Sequence, residues 1–379
     1  MNSLRLPVLV STILLELLTT GAGNAQEGKK QAVPKVDSAK VEEAVQKGIN
    51  FLKSLNPPPT APWQHTDGHS IQKTELVLWT YLRAGVKPSE PEFQFLFKEM
   101  MGRRLEATYA VALQAMILED LDRAKYQWRV QKCAQFLVDN QSGGGWGYGS
   151  PSTAADALPV GEASLEGAGP VRPKPKVAKR LPVKKTKEGE RPDNSCSAYA
   201  AMALRACADA GIVIPAEVIS QAETRWRKTH KGPGDGWCYS DHSDHKAYGS
   251  MTAEGLGSLA ILGYLRGAKK TWKSDPQEVS ALQWLAKNLS VTAHPGDYEQ
   301  VRPTDPINQY FYWMESLERA MVLTGTEMLA KRDWYAEGTE AILKLQEPSG
   351  AWNRSVQDTC QAILFLLRAT APLEAEAKK

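Results

Sequence analysis

Cysteine is scarce in this 379-residue chain, and its five copies, at 133, 196, 207, 238 and 360, are odd in number and far apart. That excludes a disulfide framework as the basis of the fold. An excess of one charge is lacking too: 46 basic residues against 43 acidic ones leave a net charge of +3, and no basic stripe marks a face for nucleic acid. No apolar run reaches the roughly 20 residues that crossing a bilayer requires. The one long run, Leu6 to Leu18, follows Arg5 and precedes the small residues Gly23 and Ala25, which is the layout of a secretory signal peptide. Residues 1–25 are therefore expected to be a leader, with export to the periplasm or exterior and no membrane span after its removal. Residues 26–40 are expected to be a flexible segment.

Aromatic residues vanish between 149 and 192, where seven prolines fall from Pro151 to Pro192 beside Arg172-Pro-Lys-Pro-Lys176 and Lys184-Lys-Thr-Lys187. Such a stretch has little apolar surface to offset the entropy of ordering it. It reads as a disordered basic insertion in a domain of residues 41–370, which a disordered tail follows at 371–379. Its functional reading is a tether to an anionic envelope polymer, and its bland reading a solvated linker.

Outside that break the chain repeats. Phe51-Leu52, Phe95-Leu96, Phe136-Leu137, Trp226-Arg227, Trp284-Leu285 and Ala341-Ile342 occupy matching places in amphipathic helices. Four of these run into a turn that ends at or near tryptophan: Trp63, Trp146, Trp237 and Trp352. A second helix follows each turn, apolar on nearly every side: about 71–84, 107–118, 195–208, 252–265, 310–323 and 359–369. A helix with one apolar stripe faces solvent elsewhere, whereas one apolar all round must be enclosed. The alternation predicts an all-α (α/α)6 toroid, six helical hairpins with an inner and an outer ring, because an open stack would give its end repeats polar caps.

The stretches Gln141-Ser-Gly-Gly-Gly-Trp146 and Gln346-Glu-Pro-Ser-Gly-Ala-Trp352 resemble the glutamine-tryptophan repeat of squalene and oxidosqualene cyclases, in the terpenoid cyclase and protein prenyltransferase superfamily. Thr108-Tyr109, Asp193-Asn-Ser and Asp333-Trp-Tyr335 are similar to secreted bacterial repeat proteins of prenyltransferase-like or squalene-cyclase-like type, a subgroup for which the resemblance implies no assigned reaction. In that superfamily ligands enter the funnel beside the N-terminal ends of the inner helices. The resemblance thus implies a rim for an unidentified ligand or peptide made of Thr108, Tyr109, Asp193, Asn194, Cys196 and Tyr199 on one side. Ser250, Thr252, Glu254, Gln309, Tyr310, Trp313, Asp358 and Thr359 complete it. The bland reading is that many of these cap helices.

No Asp-x-Asp-Asp cluster is present for protonating an alkene, and no Asp-Asp-x-x-Asp stretch for holding magnesium on a diphosphate. Glu119-Asp-Leu-Asp122 is the nearest charge run and is assigned to solvent or an inter-helix turn. Asp193-Asn-Ser-Cys196 departs from the Asp-x-Cys zinc spacing of prenyltransferases. The densest group of metal-ligand types is Cys238, His242 and His245, for which zinc is the candidate ion. Catalytic residues stay unassigned, and three readings stay open: a ligand-binding toroid, a divergent enzyme of the cyclase or prenyltransferase type using that metal group, and a structural interaction module.

Overall fold

The computed structural model describes residues 36–55, 62–64, 70–170, 174–240, 246–268, 274–296 and 309–373, with backbone alone at 62–64 and 70–72. All of them fall in one compact unit. The first helical pair is α1 (Ser38–Ser54) and α2 (Lys73–Arg83), and the second α3 (Pro91–Gly102) and α4 (Thr108–Asp122). The third is α5 (Gln127–Asn140) and α7 (Asn194–Asp209), with the short α6 (Thr153–Ala157) between them. The fourth is α8 (Ala216–Thr229) and α9 (Gly249–Leu265). The fifth is α10 (Pro276–Asn288) and α11 (Tyr310–Thr324), and the sixth α12 (Trp334–Lys344) and α13 (Val356–Leu366).

The second helix of each pair is walled in. In α9 every residue from Gly249 to Gly263 is buried. The first helix buries one stripe, as in α1, where Val41, Ala44, Val45, Gly48, Ile49 and Leu52 face inward below an N-cap from Asp37; α5 is the exception, buried on nearly every side. Around the inner ring α2 packs on α4, α4 on α7, α7 on α9, α9 on α11, α11 on α13, and α13 back on α2. The ring is closed, and the fold is the all-α toroid expected from the alternation. Strands among the described residues are two-stranded fragments only: β1 (Pro62–Gln64) with β2 (Ser70–Gln72), β3 (Gln141–Ser142) with β4 (Gly145–Trp146), and β5 (Leu181–Pro182) with β6 (Ile212–Val213).

Tryptophan and glutamine tie the rings together. The indole N–H of Trp146 donates to Leu137 O at 2.7 Å, that of Trp237 to Trp226 O at 2.7 Å, and that of Trp352 to Ile342 O at 2.8 Å. Each acceptor lies in the outer helix just finished. The backbone N–H of the same tryptophan donates to a hydroxyl at the fourth residue of the next inner helix, Ser197, Thr252 or Thr359. The glutamine amide reaches sideways: Gln141 donates to Val218 O on α8 and Gln346 to Ala44 O on α1, both at 2.8 Å. These acceptors are carbonyls within helices, taking a second bond on their spare lone pair, not the free helix-end groups that the motif invites one to expect. Glycine lets the turns approach. A Cβ on Gly144 would lie 2.2 Å from Gln221 O, and one on Gly350 would lie 2.4 Å from Lys47 O, at φ values of +80° and +88°.

The segment 149–192 is not the disordered insertion its composition implies. Its described residues run down the outside of α5 and back. On the way down Trp128 donates to Glu162 O and Lys125 to Glu166 O, while Lys132 donates to Ala155 O and Asp156 O. On the way back Gln127, Gln131 and Gln135 donate to the carbonyls of Lys179, Pro182 and Lys184, and Asp139 accepts from Thr186 N. These four α5 residues are spaced by four, so they form one stripe along the helix. Backbone hydrogen bonds to that stripe order the segment, and Ala155 and Val183 add a little apolar burial. Three of the lysines are turned inward, Lys174 to Glu119 and Asp120, Lys185 to Gln141 O and Lys187 to Ser150. The tail is likewise held at its described start, where Arg205 donates to Ala371 O and Pro372 O.

The seam between the last and first repeats gives a direct test. Gly350→Ala is expected to destabilise the protein by about 1–3 kcal/mol, because a Cβ meets backbone in a left-handed conformation. Amide hydrogen exchange should rise first in α1 and α12.

Candidate functional site

Most residues read as a rim at the N-terminal ends of the inner helices hold the backbone together. Thr108 donates to Gly147 O at 2.7 Å, Asp193 caps α7 by accepting from Cys196 N at 2.7 Å, and Asn194 donates to Cys238 O at 2.7 Å. Thr252 takes the backbone N–H of Trp237, and Ser250 N–H donates to His294. Tyr310 donates to Val291 O and Trp313 to Ser290 O, and Asp358 accepts from Asn353. Trp313 also stacks on His294, whose imidazole burial pushes down to about 3. Gln309 precedes α11 in a left-handed conformation, φ 43°.

A different subset is brought together inside the ring. Tyr109 on α4 and Tyr199 on α7 stand with ring centroids 4.6 Å apart. Arg319 on α11 donates to the Tyr199 hydroxyl at 2.8 Å, lies over its ring, and bonds Glu254 on α9 at 3.0 Å. It also bonds Glu315, one turn earlier on its own helix, and Ser316 donates to Glu254 at 2.9 Å. All five polar side chains on α9 and α11 in this group, Glu254, Glu315, Ser316, Glu318 and Arg319, are buried. Removing one partner of a buried ion pair costs about 3–5 kcal/mol, so these groups hold one another in place. Glu315, Glu318 and Arg319 are spaced at i, i+3 and i+4 on an enclosed helix. Charges so placed must face the lumen, a signal the sequence carried and the rim-centred reading passed over.

Of this cluster, Glu315, Glu318 and Arg319 line the floor of a cavity of about 490 Å3. Its walls come from the C-terminal halves of inner helices: Trp79 and Arg83 on α2, Met116, Glu119 and Asp120 on α4, Met202, Arg205 and Asp209 on α7, Ile261 on α9 and Leu364 on α13. This is the mouth opposite the one that the superfamily resemblance implies. Glu119 and Asp120 are buried there, not turned to solvent, because Arg123, Arg83 and Lys174 neutralise them at 2.5 to 3.1 Å. The tail from Ala369 to Pro372 crosses the same mouth. There Glu318 accepts from Thr370 N–H at 3.1 Å and from its hydroxyl at 2.6 Å.

Burial governs the titration of these groups. It pushes the Glu318 carboxyl up to about 7 against the Thr370 hydrogen bonds, and it raises Glu315 despite Arg319 beside it. Away from the lumen, Glu75 is pushed up to about 7 in the same way. At the other mouth, burial and the Asp193 carboxyl push the Cys196 thiol up. Of the metal group, His242 and His245 lie outside the described residues. Cys238 is buried, with its thiol donating to Ser240 O at 2.8 Å, and the described residues gather no three His, Cys, Asp or Glu side chains for an ion.

No protein-family model and no curated protein matches the chain. Solved structures do. A possible member of the GH105 family from Salmonella enterica serovar Paratyphi A shares 10% identity over 92% of this chain and 98% of its own, with a TM-score of 0.51. The type II terpene cyclase MstE from Scytonema, in complex with its substrate geranylgeranyl dihydroxybenzoate, shares 13% identity over 87% of this chain and 97% of its own, with a TM-score of 0.49. Its apo form has 12% identity and a TM-score of 0.35. At these identities the likeness is one of fold, and the all-α toroid is what the chain has in common with the Salmonella protein.

The raised carboxyls make stability depend on pH. Glu75 and Glu318 keep their protons in the folded protein above the 4.5 at which such groups ordinarily lose them. Their contribution is therefore fully present below about pH 4.5 and lost as pH rises through 7. Glu318→Gln should raise stability by roughly 1–3 kcal/mol at pH 8 and by clearly less at pH 5, read from urea unfolding at both.

Proposed function

We propose that this chain is an exported toroid that binds a small ligand in the lumen, at the mouth formed by the C-terminal ends of the inner helices. The observation that carries the reading is the cavity itself, about 490 Å3, in which the buried side chains of Glu315, Glu318 and Arg319 lie beneath an apolar belt. That belt of Trp79, Met116, Met202, Ile261 and Leu364 suits a ligand body, and the volume lies in the range of small-molecule sites.

The absence of Asp-x-Asp-Asp and Asp-Asp-x-x-Asp stretches supports binding over cyclisation. A second reading, an acid–base enzyme, draws on Glu318, a cavity carboxyl that titrates near neutrality. A structural module without a ligand is the third, and the apolar belt left open toward the mouth weighs against it. The N-terminal apolar run supports export.

Native mass spectrometry of gently purified protein should show a bound small molecule, and Met202→Trp, which fills the cavity, should abolish it with little change in melting temperature. Identical masses of small-molecule cargo in both proteins would remove the cavity from the reading. Expression of the full chain in a secreting host should give a mature N-terminus near residue 26. Retention of residues 1–25 on the purified protein would count against export of a cleaved form.

A further inference from the structure

Past α13 the chain turns across the mouth of the lumen, and Arg368, Ala369, Thr370, Ala371 and Pro372 stand among the residues that line the cavity. The helix is finished before this crossing begins. Arg368 N–H donates to Phe365 O and Ala369 N–H to Leu364 O, which closes the last turn, and Arg368 takes a left-handed conformation, φ 46°. Lifting the residues beyond Ala369 therefore unwinds no helix, and the change of direction is concentrated in one residue.

The crossing itself is held by side chains. Among the described residues, no backbone-to-backbone hydrogen bond joins Thr370, Ala371, Pro372 or Leu373 to the ring. Two fasteners do so instead. On α11, Glu318 accepts from Thr370 N–H at 3.1 Å and from its hydroxyl at 2.6 Å. On α7, Arg205 donates to Ala371 O at 2.7 Å and to Pro372 O at 2.6 Å, with its guanidinium steadied by Asp209 at 3.6 Å and by the ring of Tyr264. In the order of the inner ring α7 is the helix opposite α13, so the crossing spans the lumen from one side to the other. Ala371 and Pro372 are exposed, which leaves Leu373 as the buried apolar side chain at the far end. A segment bonded in this way opens at far lower free energy than the packed helices beneath it.

Each fastener stands directly above a residue of the cavity. Met202 precedes Arg205 by three positions on α7, and Glu315 precedes Glu318 by three on α11, so both lie one turn deeper on the same faces, and both line the cavity. We propose that Thr370–Leu373 form a hinged strap over the lumen, pivoting at Arg368, which lifts from Glu318 and Arg205 to admit a ligand. This rests on the lumen cavity being the ligand site. In the fastened state the strap's own backbone occupies the Arg205 guanidinium and the Glu318 carboxyl, so an incoming molecule meets these two groups only after displacing it.

The test labels a thiol placed beneath the strap. Met202→Cys in the full chain puts a cysteine on the cavity wall, and the five native cysteines are all buried. Labelling by iodoacetamide, followed peptide by peptide in a mass spectrometer, should be slower at the introduced thiol than at a free one. Adding Thr370→Val, which removes the hydroxyl bond to Glu318, should speed it about fivefold, and adding Arg205→Gln about tenfold or more. The rate at Cys133, buried in α5, should not change, which separates lifting of the strap from opening of the whole fold. Should Arg205→Gln fail to fold, Thr370→Val decides alone. An introduced thiol that reacts at one rate with and without these substitutions, or as fast as a free thiol in the parent chain, would overturn the proposal. If labelling is ungated while Met202→Trp still removes a co-purifying molecule, the strap falls and the cavity reading stands. If labelling is gated but no small molecule co-purifies, the strap covers an unused space and its role in admitting a ligand falls with that reading.

Discussion

A buried indole N–H bonded to the last turns of its own outer helix is the constraint on which this ring is built. Trp146, Trp237 and Trp352 are each fully enclosed, and each has its only polar side-chain atom satisfied, so the indole is both a large apolar wedge and a fixed strut. Its backbone N–H then sets where the next inner helix begins, through Ser197, Thr252 or Thr359. In these three repeats the outer helix, the turn and the inner helix are thereby locked at one angle. Truncating such a residue to alanine would sacrifice about 3–5 kcal/mol, a large part of what holds a domain folded.

The lumen shows the converse of the outer seam. Inner helices must be apolar toward their neighbours, yet α11 carries Glu315, Glu318 and Arg319 on its remaining face, and α9 adds Glu254. These charges contribute little net stability, since the cost of desolvating them offsets most of their attraction. Their placement is better explained by a role in the lumen than by folding.

Much of the architecture was legible in the residues. Helices apolar on all sides, such as Gly249–Leu265, can only be interior, and their alternation with one-faced helices such as α1 implies two concentric layers. The site was less legible, for reasons that can be named. Residues such as Thr108, Asp193 and Thr252 stand at helix starts, where polar side chains serve caps and turns as well as ligands, and sequence does not separate these uses. Arg319 and Glu315 were visible as charges on an enclosed helix, but choosing the opposite mouth required knowing where the walls part. The order of the 149–192 segment was hidden because it comes from the Gln127, Gln131, Gln135 and Asp139 stripe on another element.

Gln346 meets Ala44 across 302 positions of sequence. Bringing together groups so far apart carries the largest chain-closure entropy in the ring, so this contact is unfavourable until the repeats between them are already assembled. During synthesis, five hairpins emerge as an open arc whose terminal inner helices each present an uncovered apolar side. That arc is an aggregation-prone species until the sixth hairpin arrives to shut it. A chain made this way has reason to stay open until its C-terminal end has followed, and to circularise only then.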